Sequence, residues 1–300
     1  MQNDLISVIV PCFNEEQNIR GCLKALLCQE SSYSYEIIVA DSSSDKTPFI
    51  IRSEFPGVKL IHSASRMTCG QARNTGLANA HGAKILFTDA DVRVPRDWLE
   101  RMAGFLSEYD IVGGAVANGT PWSLTGSLLY YLEFIRCLPG RGRPKEDYFL
   151  MAGANLGYRA ETLRGKRFLN GNLADETSMN IQLVQNGSRS IYVPTLSVIH
   201  INRKGWKNIL AYQRKLGRAG YDWRVLKDKG KSMVLKVPLL MLFAPYLKVM
   251  YLLLHYLFDF NFVDFVKVLC LSPLLIVTDY FWVSGFLESA NSRQRLGLGR

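Results

Sequence analysis

Two carboxylates one residue apart, Asp89 and Asp91, follow directly on a short apolar run in the stretch ILFTDADVRVPRDWLERM. A strand interior tolerates no unpaired charge, so the acids belong where the strand leaves the core. Alternate residues of an extended segment point the same way, which lets both carboxylates reach one cation. Hard carboxylate oxygens suit Mg2+ or Mn2+, ions that keep waters and bridge phosphates. The competing assignment is a helix start, with Asp91 capping the turn before PRDWLERM.

The elements around the pair bear on that choice. Short β-rich runs (LISVIVP, YEIIVAD, GVKLIHS, AKILFTD) alternate with segments of helical spacing such as EQNIRGCLKALLCQ and TCGQARNTGLANAH. Strands apolar on both faces are what helices covering both sides of a sheet require. Strand and helix in repeated alternation predict an α/β fold with a doubly wound, mostly parallel sheet. In such sheets ligands gather outside the carboxyl ends of the strands. Here the four exits, at 11–15, 41–45, 65–66 and 89–91, are all polar or charged. Ser43 and Ser44 are the candidate N-caps of the second helix. Beyond residue 110, 111–119 reads as a strand, 148–161 as a glycine-interrupted strand, 175–187 as a helix with acids in its first turn, and 190–201 as one or two short strands.

The chain has 300 residues, 48% hydrophobic, and a formal net charge of +10. Charge alone names no partner, but its position is informative: 203–231 holds ten Lys or Arg against two Asp. The six cysteines form no CxxC pair and have no His at ligand spacing, which disfavours a zinc site or a disulfide framework. MQNDLISVIVP reads as no signal peptide, so reduced thiols and a cytosolic N-terminal domain are expected.

The C-terminal quarter changes character. Residues 237–258 and 262–287 are each long enough for the roughly 30 Å hydrocarbon core, although Lys248, Asp264, Lys267 and Asp279 interrupt them. Lys227, Lys229, Lys231 and Lys236 precede the first run and Arg293, Arg295 and Arg300 follow the second, while 259–261 has no basic residue. The positive-inside rule then predicts a helical membrane hairpin with both ends cytosolic; the alternative is a buried helical subdomain. The expected organisation is a catalytic domain over 1–202, a basic amphipathic interface segment over 203–232, and membrane-associated helices over 233–300.

Five stretches, VIVPCFNEE, IIVADSSSDKT, GQARNTGLANAHG, LFTDADV and ADETSMNIQLVQNG, come in the order found in family-2 inverting glycosyltransferases of the GT-A fold, which the chain resembles over roughly residues 5 to 220. The resemblance implies a nucleotide-diphosphate-sugar donor, UDP- or GDP-linked, and a divalent cation, Mn2+ or Mg2+. It implies donor contacts from Pro11, Asn14, Glu15 and Asp41, with Asp41 near the base, and from Arg66, Gly70 and Arg73. Asp89 is implied as a donor-sugar or ribose contact close to the metal, and Asp91 as the direct metal ligand. The family's VDDGS is VADSS here, one acid and one glycine short. Asp41 also reads as a turn residue, and Arg73 as one side of a structural salt bridge.

Inverting transfer needs a general base for the acceptor hydroxyl, and the resemblance places it in the pair Asp175–Glu176, with Glu176 aligned to the base. His200 is either a third metal ligand or a structural histidine closing a strand. Gln213, Arg214 and Arg218 fall near one helical face, similar to a family segment that closes over the donor diphosphate. The same segment reads as a basic helix on anionic headgroups anchored by Trp206 and Trp223. Gly153, Gly157 and Asn155 look like the acceptor-side wall, or a bulged strand. His62, His81 and His255 receive no role.

The implied reaction is sugar transfer to a lipid-linked or polysaccharide acceptor at the cytosolic face of the membrane, with membrane lipids as partners. Nucleotidyl transfer wants a Gly-rich phosphate loop with Lys after the first strand, which PCFNEEQN lacks. No nucleic-acid motif is present, and nucleic acid is not an expected partner.

Overall fold

A computed structural model describes residues 5–170, 175–203, 205–228, 233 and 237–295. The chain divides into two compact units, residues 1–119 with 136–201, and residues 120–135 with 202–300.

The first unit is built on one nine-stranded sheet. Its strands are β1 (Ile6–Cys12), β2 (Tyr35–Asp41), β3 (Lys59–His62), β4 (Lys84–Phe87), β5 (Val92–Arg93), β6 (Ile111–Asn118), β7 (Lys145–Glu146), β8 (Leu156–Arg159) and β9 (Ser190–His200). They order as β3-β2-β1-β4-β8-β6-β9-β5, with β7 on β9. The first four run parallel, joined by helices α1 (Ile19–Leu27), α2 (Thr47–Glu54) and α3 (Cys69–Leu77). Ile6, Val8, Ile9 and Val10 are fully buried on both faces of β1, as the unalternating sequence requires. Ile19, Cys22, Leu23 and Leu26 form the buried stripe of α1 at helical spacing.

The expectation of a mostly parallel sheet holds, with three strands, β5, β7 and β8, reversed. β8 lies antiparallel between β4 and β6, so the later half is mixed. The glycine-interrupted stretch at 148–161 is a 3-10 turn over Gly153–Asn155 followed by β8. Residues 190–201 form one strand rather than two. β9 pairs parallel with β6, but the register jumps from Gly114↔Val193 to Ala115↔Ser197, so 194–196 bulge outward. Two cap assignments change. Ser43 and Ser44 precede α2 by too far, since Lys46 sits at its N-cap and the Asp45 carboxylate accepts from Thr47 N at 2.9 Å. Asp91 caps nothing before α4 (Trp98–Phe105), whose N-cap position is Asp97.

The remaining helix of the first unit is α6 (Asp175–Gln185). The second unit holds α5 (Leu124–Glu133), α7 (Trp206–Asp228), a 3-10 turn at Pro238–Phe243, α8 (Ala244–Phe258) and the 34-residue α9 (Phe262–Arg295). Among the described residues one stretch, Pro238–Phe258, is long and apolar enough to cross a membrane. The second predicted span falls within α9, which carries Asp264, Lys267, Asp279 and Glu288 and does not qualify. Two of the four interrupting charges neutralise one another: Lys248 Nζ meets Asp279 at 2.6 Å and lies 4.1 Å from the Trp282 ring centroid. Lys229, Lys231, Lys236 and Arg300 lie outside the described residues, as do the side chains of Trp223, Lys227, Arg293 and Arg295.

Candidate functional site

Asp89 and Asp91 do meet, by a different route from the one expected. β4 ends at Phe87, and the chain turns rather than staying extended, with Val92 N bonded to Asp89 O at 3.1 Å. The turn brings both carboxylates together with His200, at the end of β9. One ligand atom from each of the three lies within 4.8 Å of the others, and His200 Nε2 is 3.3 Å from Asp91 Oδ1. Two hard oxygens and one imidazole nitrogen fit Mn2+, and Mg2+ through the carboxylates. Pairing of β5 with β9, Val92 opposite His200, fixes the imidazole beside the acids. Burial pushes the Asp89 carboxyl above its ordinary range, with Arg73 opposing and Asp91 reinforcing the shift, so a cation would relieve a standing cost there.

The second acid pair opens α6. Asp175 is buried and Glu176 keeps 18% of its side chain exposed. Arg73 of α3 reaches both, at 2.6 Å to Asp175 and 3.0 Å to Glu176. Burial pushes the Glu176 carboxyl up to about 7, with Arg73 pulling it down and Asp175 adding to the rise. Of the two acids only Glu176 is open to an incoming hydroxyl, and near neutrality it can accept its proton.

Several sequence assignments shift once partners are visible. Arg73 is 3% exposed and spent on the acids, so it is the salt-bridge alternative, not a donor-lining contact, that the geometry shows. Gly153 makes room for that guanidinium: a Cβ there would lie 2.0 Å from Arg73 Nη2. Gly70 lets the backbone of Leu169 approach, its Cβ position being 2.1 Å from Leu169 O. Asn155 is fully buried and bonds Trp98 Nε1, Ala115 O and Leu196 O at 2.8–2.9 Å. It ties the bulge of β9 to β6 and presents nothing to an acceptor. Gly157 packs against Leu86, Met102 and Leu106, so Gly153, Gly157 and Asn155 are all engaged with the protein's own interior.

The loops at the β1 and β2 exits are stitched together. Asn14 adopts φ 56, a conformation Asn tolerates, and its Oδ1 accepts from Ser44 N at 2.9 Å. Glu15 N donates to Thr47 Oγ1, Glu15 Oε2 accepts from Asn18, and Pro11 is half-buried. Arg66 is exposed and stacks over Phe13, 4.3 Å from its centroid. Asp41 is fully buried; Ser43 Oγ donates to one oxygen and His62 Nδ1 is 2.6 Å from the other. His62, given no role from sequence, thus stands between Asp41 and solvent. No local pattern announces it, because β3 becomes its neighbour only when the sheet forms.

In the second unit, Arg214 and Arg218 both pair with Glu288, at 2.8 and 2.7 Å. Gln213 is fully buried, with neither amide atom bonded.

A cluster able to hold a cation thus lies at the strand exits of a mixed α/β sheet, in the unit that also holds an arginine-bound acid pair at a helix start. Glycosyl transferase family 2 matches residues 7–163, more than half of the chain, and the chain belongs to that family. Glycosyltransferase AglE of Haloferax volcanii is 36% identical over 37% of this chain and 39% of its own length. Glycosyltransferase GlyA of Streptococcus pneumoniae is 26% identical over 74% of this chain but 32% of its own. The chain thus spans well under half of these curated relatives. An undecaprenyl-phosphate 4-deoxy-4-formamido-L-arabinose transferase of Photorhabdus laumondii is 32% identical over 38% of this chain and 37% of its own length. Among solved structures, the mannosyltransferase PcManGT of Pyrobaculum calidifontis, in complex with GDP-Man and Mn2+, superposes with TM-score 0.63 at 18% identity, over 95% of this chain and 86% of that one. S. aureus TarS 1–349 with UDP-GlcNAc gives 0.53 at 18%, over 99% and 92%. These likenesses establish the fold as GT-A.

Proposed function

We propose that the protein is an inverting glycosyltransferase that moves a sugar from a UDP- or GDP-linked donor to a lipid-linked or polysaccharide acceptor at the cytosolic face of a membrane. The observation that carries this reading is the convergence of Asp89, Asp91 and His200 in a unit that also holds a half-open, near-neutral Glu176 on Arg73. Asp89, Asp91 and His200 would hold the divalent cation, whose charge would offset that developing on the departing diphosphate.

Glu176 takes the proton of the acceptor hydroxyl as that oxygen bonds to the anomeric carbon; the bond from that carbon to the diphosphate oxygen breaks, and the nucleoside diphosphate leaves. Arg73 holds Glu176 and Asp175 in place and keeps a buried positive charge beside them. Asp175, closed off from solvent, shares the arginine and raises the affinity of Glu176 for a proton. On the nucleoside side stand Pro11, Asn14, Glu15 and Arg66, with Asp41 acting through His62. The names of the solved neighbours, bound to GDP-Man with Mn2+ and to UDP-GlcNAc, support the donor class, and that of the undecaprenyl-phosphate relative supports a lipid-linked acceptor.

The test is turnover of a panel of UDP- and GDP-sugars with Mn2+ or Mg2+, alongside donor binding by calorimetry. Turnover lost on adding a chelator and in Asp91→Ala is expected. Absence of turnover with every donor, together with unchanged donor affinity in Asp91→Ala, would overturn the proposal.

A further inference from the structure

α8 and α9 form a hairpin, and both of its ends return to the same pair of helices. At the closed end Tyr131 Oη of α5 donates to Asp264 at 3.2 Å, and its ring meets Tyr256 edge-on at 6.0 Å. At the open end α9 crosses α7 with backbones in contact. A Cβ on Gly217 would lie 1.9 Å from Trp282 O and one on Gly285 2.0 Å from Arg214 O, while Glu288 pairs with Arg214 and Arg218. α5 and α7 are themselves joined: Gly205 N donates to Thr125 Oγ1 at 3.2 Å and Tyr212 Oη to Glu133 at 2.7 Å. Tyr131 and Arg214 each stand only a couple of residues from that last bond, so turn and open end are both fastened to the joined pair of α5 and α7.

Chain connectivity then fixes the side. The chain leaves the first unit after Gly119 and re-enters it at Arg136. Between them is one 10-residue helix, about 15 Å long, too short to cross a core of roughly 30 Å and return. α5 cannot lie across a bilayer from the residues that flank it in the chain, and neither can the turn that Tyr131 holds.

We propose that the α8–α9 hairpin lies in the plane of the membrane interface as a one-sided anchor and does not cross the bilayer. Its outer face is apolar and exposed, with Leu247, Met250 and Leu254 on α8 and Val263 and Val266 on α9, while Val249, Leu252 and Tyr256 turn inward. An exposed apolar face beside a packed inner one can rest on acyl chains without turning buried groups outward. Trp122, 94% exposed with the Lys267 ammonium 5.9 Å from its ring centroid, supplies the aromatic and cation that settle among headgroups. The ten basic residues against two acids in 203–231 select an anionic phospholipid surface. The inference rests on the membrane association proposed above and not on the donor chemistry.

The experiment uses the full chain with exposed Cys28, Cys69 and Cys270 replaced by Ser, carrying Leu247→Cys, Leu254→Cys, Asn261→Cys or Val266→Cys, each nitroxide-labelled and bound to phosphatidylglycerol vesicles. Accessibility to oxygen and to a water-soluble nickel complex reports depth. All four labels are expected at one shallow depth, about 5–10 Å below the headgroup boundary, with position 261 reduced by impermeant ascorbate added outside. A graded series passing through the midplane, or protection of 261 from external ascorbate, would overturn the in-plane arrangement alone. Failure of the unlabelled chain to float with the vesicles would overturn membrane association with it, while sugar-nucleotide turnover measured on the same samples is untouched by either outcome.

Discussion

At the residue scale the proposed chemistry turns on Glu176. Its proton must be gone before it can accept another, and burial holds its pKa at about 7. Turnover should therefore fall about tenfold per pH unit below that value and level off above it, measured as kcat/KM from pH 5 to 9 with saturating Mn2+. Glu176→Gln should cut kcat by about a thousandfold and abolish that limb while donor affinity, read by calorimetry, stays put. Arg73→Ala would leave Asp175 and Glu176 without their counter-charge, and a broken buried ion pair costs about 3–5 kcal/mol, checked by denaturant unfolding. The acids were legible in the sequence from their order and spacing. The arginine was legible only as a residue of interest, because its true partners lie 102 and 103 positions away.

At the scale of elements, β1 to β4 and their helices could be read from apolar runs and helical spacing. What could not be read was the bulge of β9, and it matters for the candidate metal ligands. Three residues with no partner on β6 reverse which face the rest of the strand presents, since side chains alternate. That reversal leaves His200 facing Asp91. Asn155 clamps the bulge by accepting from Trp98 and donating to Ala115 and Leu196. Asn155→Ala should lower stability by about 3 kcal/mol through orphaned buried groups. It should also weaken Mn2+ binding by about 10–100-fold, the usual effect of losing an outer support of a metal ligand, read by calorimetry. In the second unit Gly285→Val should force α9 off α7, measured as faster proteolysis within 206–228. Sequence offered no sign of this crossing, because Gly217 and Gly285 lie far apart in the chain and acquire meaning only when the helices meet.

At the scale of the whole molecule, a basic, partly apolar second half was plain from composition, and the cation cluster explains why acids interrupt apolar runs in the first. Vesicle binding should weaken steeply between 50 and 500 mM salt, because attraction of exposed charges to an anionic surface falls with the Debye length; co-sedimentation would show it. The interleaving of the two units along the chain has a further consequence. α5 emerges before the sheet of the first unit is finished, yet the groups it binds arrive 79 to 133 positions downstream, Asp264 the farthest. Neither unit can be excised as a continuous fragment. A chain halted near residue 201 would leave α5 as an unclaimed greasy flap, while a chain begun there would lack its keystone. The second unit therefore closes on a helix that the ribosome delivers while the first is still incomplete.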